Sequence, residues 1–231
     1  MPTVELEAAT VAIETAGVDH VVLEPTTLTL TERRIGVIGA NGSGKSTLAR
    51  LVNGLVSPTS GRVLVDGLDV ARHGAQVRRR VAFAFTNPAA QLVMPTCVED
   101  VELSLRRHET HPRRRRERAV AVLEQYGLAG HADVSVHALS GGQRQLLALA
   151  GVLAVEPTIL VADEPTTLLD LAHTRRIADL LFDLEQQLIL VTHDLELARR
   201  CDRVLVVHEA RVHFDGPPGA AIGDYLAAVS G

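Results

Sequence analysis

The chain has 231 residues, of which 46% are hydrophobic and 22% are charged, a balance that is typical of a folded globular protein and excludes a disordered one. No uncharged apolar run approaches the roughly 20 residues that a membrane-spanning helix needs, and the first ten residues carry acids instead of the basic stretch of a secretory signal. We therefore expect a cytoplasmic protein. The net charge of −5 argues against nucleic acid as the main partner, because phosphate backbones attract a basic surface.

Lysine and cysteine are both rare in this sequence. Only one of the 23 basic residues is a lysine, Lys45, and the others are arginines. This bias suggests that arginine is used wherever any cation is sufficient, and that Lys45 is at a position where an arginine cannot replace a lysine. The two cysteines, Cys97 and Cys201, are too few for a disulfide framework and lack metal-site spacing, so we interpret them as small buried apolar residues.

Strands dominate the predicted elements of the first 86 residues. Apolar patterns predict strands at positions 3–13, 21–23, 27–30, 34–38, 62–65 and 81–85. The strand at 34–38 runs into a glycine-rich segment, and the helix that follows has Ser46 and Thr47 in its first turn.

Helices dominate the next 70 residues. They are predicted at 98–107 and 113–126, and from Ser140, as the N-cap, through 154. Strands are predicted again at 158–162, 188–191, 203–207 and 211–215, with helices at 171–186 and 222–229. The alternation of strands and helices predicts an α/β fold with a mostly parallel sheet core, an antiparallel β portion and an inserted helical lobe. We expect one domain, with its core lobe at 1–86 and 157–231 and its helical lobe at 87–156.

A phosphate-binding loop is predicted at residues 39–47, GANGSGKST, which fit the pattern G-x-x-x-x-G-K-[ST] between an apolar strand and a helix. Its glycines let successive backbone N–H groups point at a phosphate, aided by the positive end of the helix. Lys45 would reach the β- and γ-phosphate oxygens as a compact charge, and the Ser46 hydroxyl would bind Mg²⁺. The alternative interpretation is a glycine-rich turn that caps a helix. The predicted nucleotide-binding residues of this loop are Gly39, Ala40, Asn41, Gly42, Ser43, Gly44, Lys45, Ser46 and Thr47.

Two acids and a histidine follow other predicted strands, at the sheet edge where ligands bind in parallel α/β proteins. Asp163 is predicted to hold Mg²⁺ through its water shell, and Glu164 to polarise the attacking water. Alternatively, because Pro165 comes next, the two acids are the N-cap and first turn of a helix. His193 is a candidate for contact with the γ-phosphate as a neutral imidazole, and its alternative is a structural histidine.

One further segment indicates the family. Residues 139–145, LSGGQRQ, resemble the signature motif of ABC-transporter ATPases, and we call them the signature segment. The phosphate-binding loop, Asp163, Glu164, the segment 164–170 (EPTTLLD) and His193 then appear in family order across nearly the whole chain. The resemblance implies the P-loop ABC ATPase fold, with hydrolysis of ATP in the presence of Mg²⁺.

The same resemblance implies a head-to-tail dimer, for which a homodimer is expected. Each ATP would lie between the Lys45 loop of one subunit and the signature segment of the other, and Asp170 would be the D-loop aspartate at that seam. A serine and two glycines at a helix N-terminus favour a second anion site. The signature residues implied in nucleotide binding are Ser140, Gly141, Gly142 and Gln143.

Other segments resemble a narrower group. Residues 31–61, 87–101 (NPAAQLVMPTCVEDV) and 163–171 (DEPTTLLDL) resemble the ATPases of energy-coupling-factor importers of vitamins and metals, and within that group the ATPase of biotin uptake. The resemblance implies a peripheral location at the cytoplasmic face of the cell membrane, with a transmembrane coupling subunit and a substrate-binding membrane subunit as partners. In such importers a separate membrane protein selects the substrate.

Other functions remain open at this point. The alternatives are the ATPase of another ABC transporter, for metal import or for export, and a soluble ABC ATPase that acts on nucleic acid or ribosomes. The short helical lobe and the single phosphate-binding loop argue against the soluble alternative.

Two features depart from the family pattern. The Q-loop usually reads F-Q-N-P and here reads F-T-N-P, and Thr86 is two carbons too short for the glutamine's role at Mg²⁺ and the water. Our hypothesis is that turnover is slower, or that Gln91 or a water substitutes. No Phe, Tyr or Trp precedes Phe83, so we expect the adenine to rest on aliphatic residues or an imidazole near Val18 or His20, with loose nucleotide selectivity.

Overall fold

The computed structural model describes residues 1–15 and 17–230 of the chain. Within these residues it contains ten β-strands and eight α-helices. The strands are β1 Val4–Thr15, β2 Val18–Leu30, β3 Arg34–Ile38, β4 Ser60–Val65, β5 Leu68–Asp69, β6 Val81–Ala84, β7 Ile159–Asp163, β8 Gln187–Val191, β9 Arg203–His208 and β10 Arg211–Gly216. The helices are α1 Lys45–Asn53, α2 Gly74–Arg80, α3 Cys97–Leu105, α4 Pro112–Gln125, α5 Gly141–Leu153, α6 Leu171–Asp183, α7 Leu195–Arg199 and α8 Pro218–Ser230. No helix in this described part is long and apolar enough to span a membrane.

The strands form two sheets. The larger sheet has six strands in the order β10-β9-β3-β8-β7-β6, and the pairs β3–β8, β3–β9 and β7–β8 are parallel. The smaller sheet has four strands in the order β2-β1-β4-β5, and its pairs are antiparallel. The predicted α/β class, with a mostly parallel core and an antiparallel portion, is therefore confirmed.

The chain divides into two compact units. The first unit comprises Met1–Ala82, Thr158–Glu164 and Leu181–Gly231, and the second comprises Phe83–Pro157 and Pro165–Leu180. The second unit thus includes Pro165–Leu180, which the expected division left in the core lobe.

Three central strands of the larger sheet are buried along their whole length. Every residue of β3, β7 and β8 is buried, as their nearly continuous apolar sequences predict for strands that are covered on both faces. Because these strands run parallel, their carboxyl ends meet at one edge of the sheet. The glycine-rich loop, the acids at 163–164 and His193 follow those three ends.

Some elements differ from the sequence-based expectations. The stretches 21–23 and 27–30 belong to the single long strand β2, which pairs with β1 through several register irregularities. The short helices α2 and α7 were not predicted, although the Asp194 carboxylate caps α7 by accepting from the backbone N–H groups of Glu196 and Leu197. The helix predicted at 171–186 ends at Asp183.

A buried arginine accounts for that early end. Arg34 on β3 is 5% exposed, and its guanidinium donates to the backbone oxygens of Phe182 (2.8 Å) and Gln186 (2.8 Å) and also to that of Leu184. Carbonyls at the end of α6 and in the turn that follows are thereby satisfied by one planar cation. The contact holds the entry to β8 beside β3.

We expect Arg34→Met to lower the free energy of unfolding by about 3 kcal/mol, because the backbone oxygens of Phe182 and Gln186 lose their guanidinium donor at once. Urea unfolding followed by circular dichroism measures the change. Arg62→Met is the matched control, since the Arg62 side chain is 58% exposed and pairs with Glu7 at the surface, and it should lower the free energy of unfolding much less. Equal losses for the two variants would contradict the bracing role of Arg34.

Candidate active site

The glycine-rich loop lies so close to neighbouring backbone that side chains do not fit. A Cβ atom on Gly39 would lie 2.0 Å from the carbonyl oxygen of Val207, and one on Gly44 would lie 2.6 Å from that of Val22. Their φ angles of +150° and +108° are also unfavourable for residues with a side chain. Only glycine is compatible with both positions.

A strained turn between β9 and β10 is hydrogen-bonded to this loop. Glu209 and Ala210, between β9 and β10, have φ angles of +46° and +62°, which cost about 1–2 kcal/mol per residue outside glycine. The Ala210 N–H donates to the carbonyl oxygen of Ser43 (3.0 Å), and the Ala210 oxygen accepts from the N–H of Glu24 (2.7 Å). The turn therefore links the loop to β2.

The loop presents donors that suit an anion. Lys45 is 5% exposed, and its Nζ donates to the carbonyl oxygen of Ala40 at 2.8 Å. Burial lowers the pKa of Lys45, while Glu164 and Asp163 oppose that shift. The buried Ser43 Oγ has no hydrogen-bond partner in the described part of the chain. A buried ammonium and an unsatisfied hydroxyl in a loop that only glycines can form fit a bound phosphate group.

Asp163 at the end of β7 lies beside the first turns of α1. The Ser46 hydroxyl donates to Asp163 Oδ1 at 2.9 Å, and Arg50 Nη2 lies 3.6 Å from Oδ2. Burial raises the pKa of Asp163, against the lowering effects of Ser46 and Arg50. A hydroxyl and a buried carboxylate are oxygen ligands of the kind that Mg²⁺ binds, so this pair fits the expected metal site.

Glu164 and His193 meet although they are far apart in sequence. His193 Nδ1 lies 2.7 Å from Glu164 Oε2, and Glu164 adopts a left-handed backbone conformation with φ +53°. Because a carboxylate can only accept, Nδ1 carries the proton, and a neutral His193 then presents Nε2 as an acceptor. Donation from His193 to a phosphate oxygen therefore requires the protonated ring. The expected contact through a neutral imidazole does not fit this hydrogen bond.

The acids at 163–164 do not start a helix. α6 begins at Leu171, so the alternative of a helix N-cap at these acids is wrong. The Glu164 N–H instead donates to the carbonyl oxygen of Val191 on β8 (2.9 Å), which extends the sheet pairing past the end of β7. This hydrogen bond holds Glu164 beside the end of β8, the strand that precedes His193.

The signature residues lie in the second unit, at the start of α5. Ser140 is the N-cap, with its Oγ accepting from the Gln143 N–H (3.2 Å) and its own N–H donating to Gln143 Oε1 (2.9 Å). The other end of the Gln143 amide contacts His131 Nε2 at 3.1 Å. This capping box, together with the exposed Gly141, leaves an ordered helix N-terminus.

The Q-loop segment lies in the same unit. Gln91 Oε1 accepts from the Phe85 N–H (3.3 Å), and Gln91 Nε2 donates to the carbonyl oxygen of Ala148 on α5 (3.0 Å). In this conformation both ends of the Gln91 amide are thus already bonded, and the hypothesis that Gln91 substitutes for the missing glutamine at position 86 stays a prediction.

The first unit therefore gathers the loop at 39–47, Asp163, Glu164 and His193, whereas Ser140–Gln143 lies in the second unit. Two contributors were missed from sequence. Arg50 stands one helical turn after Ser46, and that spacing places it on the same helix face. The support from Ala210 carries no local signal, because the turn lacks the asparagine and glycine that such turns favour.

Comparisons with known proteins show the family of the chain. A family model described as ABC transporter matches residues 23–167. A putative ABC transporter ATP-binding protein of Deinococcus radiodurans is 49% identical over 88% of this chain and 90% of its own length. The biotin transport ATP-binding protein BioM of Rhizobium etli is 44% identical over 93% and 97%, and the energy-coupling factor transporter ATP-binding protein EcfA2 of Symbiobacterium thermophilum is 44% identical over 79% and 66%.

Solved structures show the same fold. An ATP-binding cassette solved as a dimer in a post-hydrolysis state, with ADP and phosphate bound, has a TM-score of 0.83 at 29% identity, covering 93% of this chain and 98% of that one. The cbiO1 protein of Clostridium perfringens, part of the ABC transporter complex cbiONQ, has a TM-score of 0.82 at 28% identity, covering 98% and 93%.

We expect Gly44→Ala to lower the free energy of unfolding by about 3 kcal/mol or more, because the new methyl group meets the Val22 carbonyl as well as a left-handed φ. Gly42→Ala is the matched control. Gly42 has φ +78° but nothing within 4 Å of the new Cβ position, so only about 1 kcal/mol of backbone strain applies. Urea unfolding without nucleotide compares the two, and equal losses would show that close approach does not constrain Gly44.

Proposed function

The chain belongs to the ABC transporter family, and we propose that it is the ATP-hydrolysing, energy-coupling subunit of a membrane importer of the energy-coupling-factor type. The chain is an ATPase, as its family and its structural neighbours indicate. The observation that supports ATP hydrolysis is the convergence at one sheet edge of the glycine-rich loop, the Ser46–Asp163 pair and the Glu164–His193 pair. The importer type is supported by the relatives.

Binding of ATP is assigned to the loop at 39–47. Lys45 leaves the Ala40 carbonyl and donates to the β- and γ-phosphate oxygens, which supply the counter-charge that its buried ammonium needs. Backbone N–H groups at the start of α1 and the Ser43 hydroxyl hold the same phosphates. Mg²⁺ held by Ser46 and, through water, by Asp163 would neutralise charge that develops on the phosphates.

Hydrolysis is assigned to the Glu164–His193 pair. Glu164 accepts a proton from the attacking water, and the bond from His193 Nδ1 fixes the orientation of the carboxylate. The protonated His193 ring donates from Nε2 to a γ-phosphate oxygen, so that loss of the phosphate removes a charge contact from the end of β8.

The signature residues complete the site from a second copy in this proposal. Ser140, Gly141, Gly142 and Gln143 would face the γ-phosphate held by the other subunit, with Asp170 at the seam. The dimeric cassette with ADP and phosphate bound supports a dimer, since its fold matches over 93% of this chain. Because one chain carries both motif sets, we propose a homodimer.

Biotin or another vitamin is the proposed cargo class, and cargo selection belongs to a membrane partner. The BioM relative supports biotin, and the EcfA2 relative supports the energy-coupling-factor type. A cobalt import ATP-binding protein CbiO of Syntrophus aciditrophicus, 38% identical over 90% of this chain, supports metal import as the alternative cargo. We propose a peripheral location on the cytoplasmic membrane face, with a transmembrane coupling subunit and a substrate-binding subunit.

We expect Glu164→Gln to reduce ATP turnover by about 100-fold or more and to trap an ATP-loaded dimer. The glutamine keeps an oxygen that can accept from His193 Nδ1 but cannot take a proton from water. Phosphate release measures turnover, and gel filtration with ATP measures dimerisation. Glu196→Gln on α7, whose side chain is 84% exposed, is the control and should hydrolyse normally. Wild-type turnover in Glu164→Gln would remove Glu164 from this role.

We expect the tagged chain to co-purify from gently solubilised membranes with two small multi-span proteins, because an energy-coupling subunit needs membrane partners. Binding of radiolabelled biotin to the purified complex tests the cargo. Binding of cobalt but not of biotin would move the proposal to metal import. Recovery only from the soluble fraction, with ribosomes or nucleic acid, would overturn the importer proposal.

A further inference from the structure

His173, two residues into α6, makes two contacts that the nucleotide chemistry above does not use. Its backbone N–H donates to Asp170 Oδ1 at 2.9 Å, and its ring Nδ1 lies 2.8 Å from Asp170 Oδ2. The carboxylate can only accept, so the ring donates. Both carboxylate oxygens of Asp170 therefore accept hydrogen bonds from His173, although the side chain of Asp170 is 65% exposed.

The same ring lies against the signature segment. A Cβ atom on Gly142 would lie 2.0 Å from His173 Cδ2, 2.5 Å from Cγ and 2.7 Å from Nε2. Gly142 is buried, in the first turn of α5. The His173 ring thus occupies the space that any side chain at position 142 would need, which explains the glycine at a position where helical geometry alone does not require one.

The backbone of the segment 164–170 also approaches this helix turn. The carbonyl oxygen of Leu168 lies 3.9 Å from the Cβ position of Gly141, and the Thr174 N–H donates to the Asp170 carbonyl oxygen at 2.8 Å. All of these residues belong to the second unit. The histidine is therefore a bridge between the aspartate and the signature helix inside one compact body.

We propose that His173 is a positioning residue, which joins Asp170 to the N-terminal turn of α5 so that the D-loop aspartate and the signature segment keep one spacing. The inference rests on the proposed function, because that function places both elements at the dimer seam. The hydrogen bonds from His173 also lower the pKa of Asp170, so the aspartate stays a carboxylate that can accept from the ring. His173 itself contacts no reacting atom in this proposal.

Two substitutions separate the hydrogen bond from the ring. His173→Asn keeps a donor at the δ position, whereas His173→Phe keeps a ring against Gly142 but cannot donate. We expect His173→Phe to lower kcat for ATP about three- to tenfold, with the KM for ATP within about twofold of wild type, since one positioning hydrogen bond is lost. His173→Asn should retain kcat within about twofold. A fall in His173→Asn as large as in His173→Phe, or wild-type kcat in His173→Phe, would overturn the proposal.

A double-mutant cycle tests the ring contact without nucleotide. Gly142→Ala should lower the thermal midpoint by about 5 °C in the wild-type background, because the methyl group collides with the ring. In the His173→Ala background the same change should be neutral or raise the midpoint, because alanine is favoured over glycine in a helix. Additive shifts would show that the ring does not constrain position 142 and would refute the bridge.

The two readouts also separate this inference from the proposed function. Wild-type turnover in Glu164→Gln would contradict the proposed catalysis while leaving the thermal cycle as a valid test of the bridge. Additive thermal shifts with a strong effect of Glu164→Gln would refute the bridge and retain the ATPase assignment.

Discussion

Strand β8 lies between β3 and β7, and this parallel pairing sets the relative positions of the strand ends from which the first unit's site is built. Val191, the last residue of β8, pairs with Val37 on one side and with Asp163 on the other. Backbone bonds continue the pairing past the strand ends, from the Thr192 N–H to the Val37 oxygen and from the Glu164 N–H to the Val191 oxygen. Because this pairing decides which residues lie at the strand ends, a shift of one residue would displace the groups of the site relative to one another.

The site carries opposite charges that burial has made costly. The pKa of Lys45 is lowered and that of Asp163 is raised, in both cases chiefly by desolvation. An anion beside the ammonium and a cation beside the carboxylate would relieve both costs at once, which is the charge pattern of a nucleotide with its metal. The same low polarity that makes these groups expensive strengthens their interaction with a bound phosphate chain.

Three of the described non-glycine residues with a positive φ lie beside the same groups, and Ala8, Asp66 and Glu156 lie elsewhere. Glu164, Glu209 and Ala210 adopt left-handed φ angles although they are not glycines. At Gly39 and Gly44, a neighbouring carbonyl oxygen occupies the space that a Cβ atom would need. Glu164 is held by its backbone bond to Val191, and Ala210 by its backbone bonds to Ser43 and Glu24. These strained backbone conformations reduce the free energy of unfolding, and they occur where the loop at 39–47 and the Glu164 carboxylate are held in one geometry.

Local patterns predicted the strands β3, β7 and β8, the loop at 39–47 and the cap at Ser140, because apolar runs, glycine spacing and capping residues act over a few neighbours. They also predicted which residues carry the chemistry, and that assignment stays a prediction. They could not show that His193 Nδ1 donates to Glu164, that Ala210 supports Ser43, or that the His173 ring excludes a side chain at Gly142. Those contacts join atoms that are distant in sequence, so they depend on sheet order, register and close packing, which only the folded chain establishes.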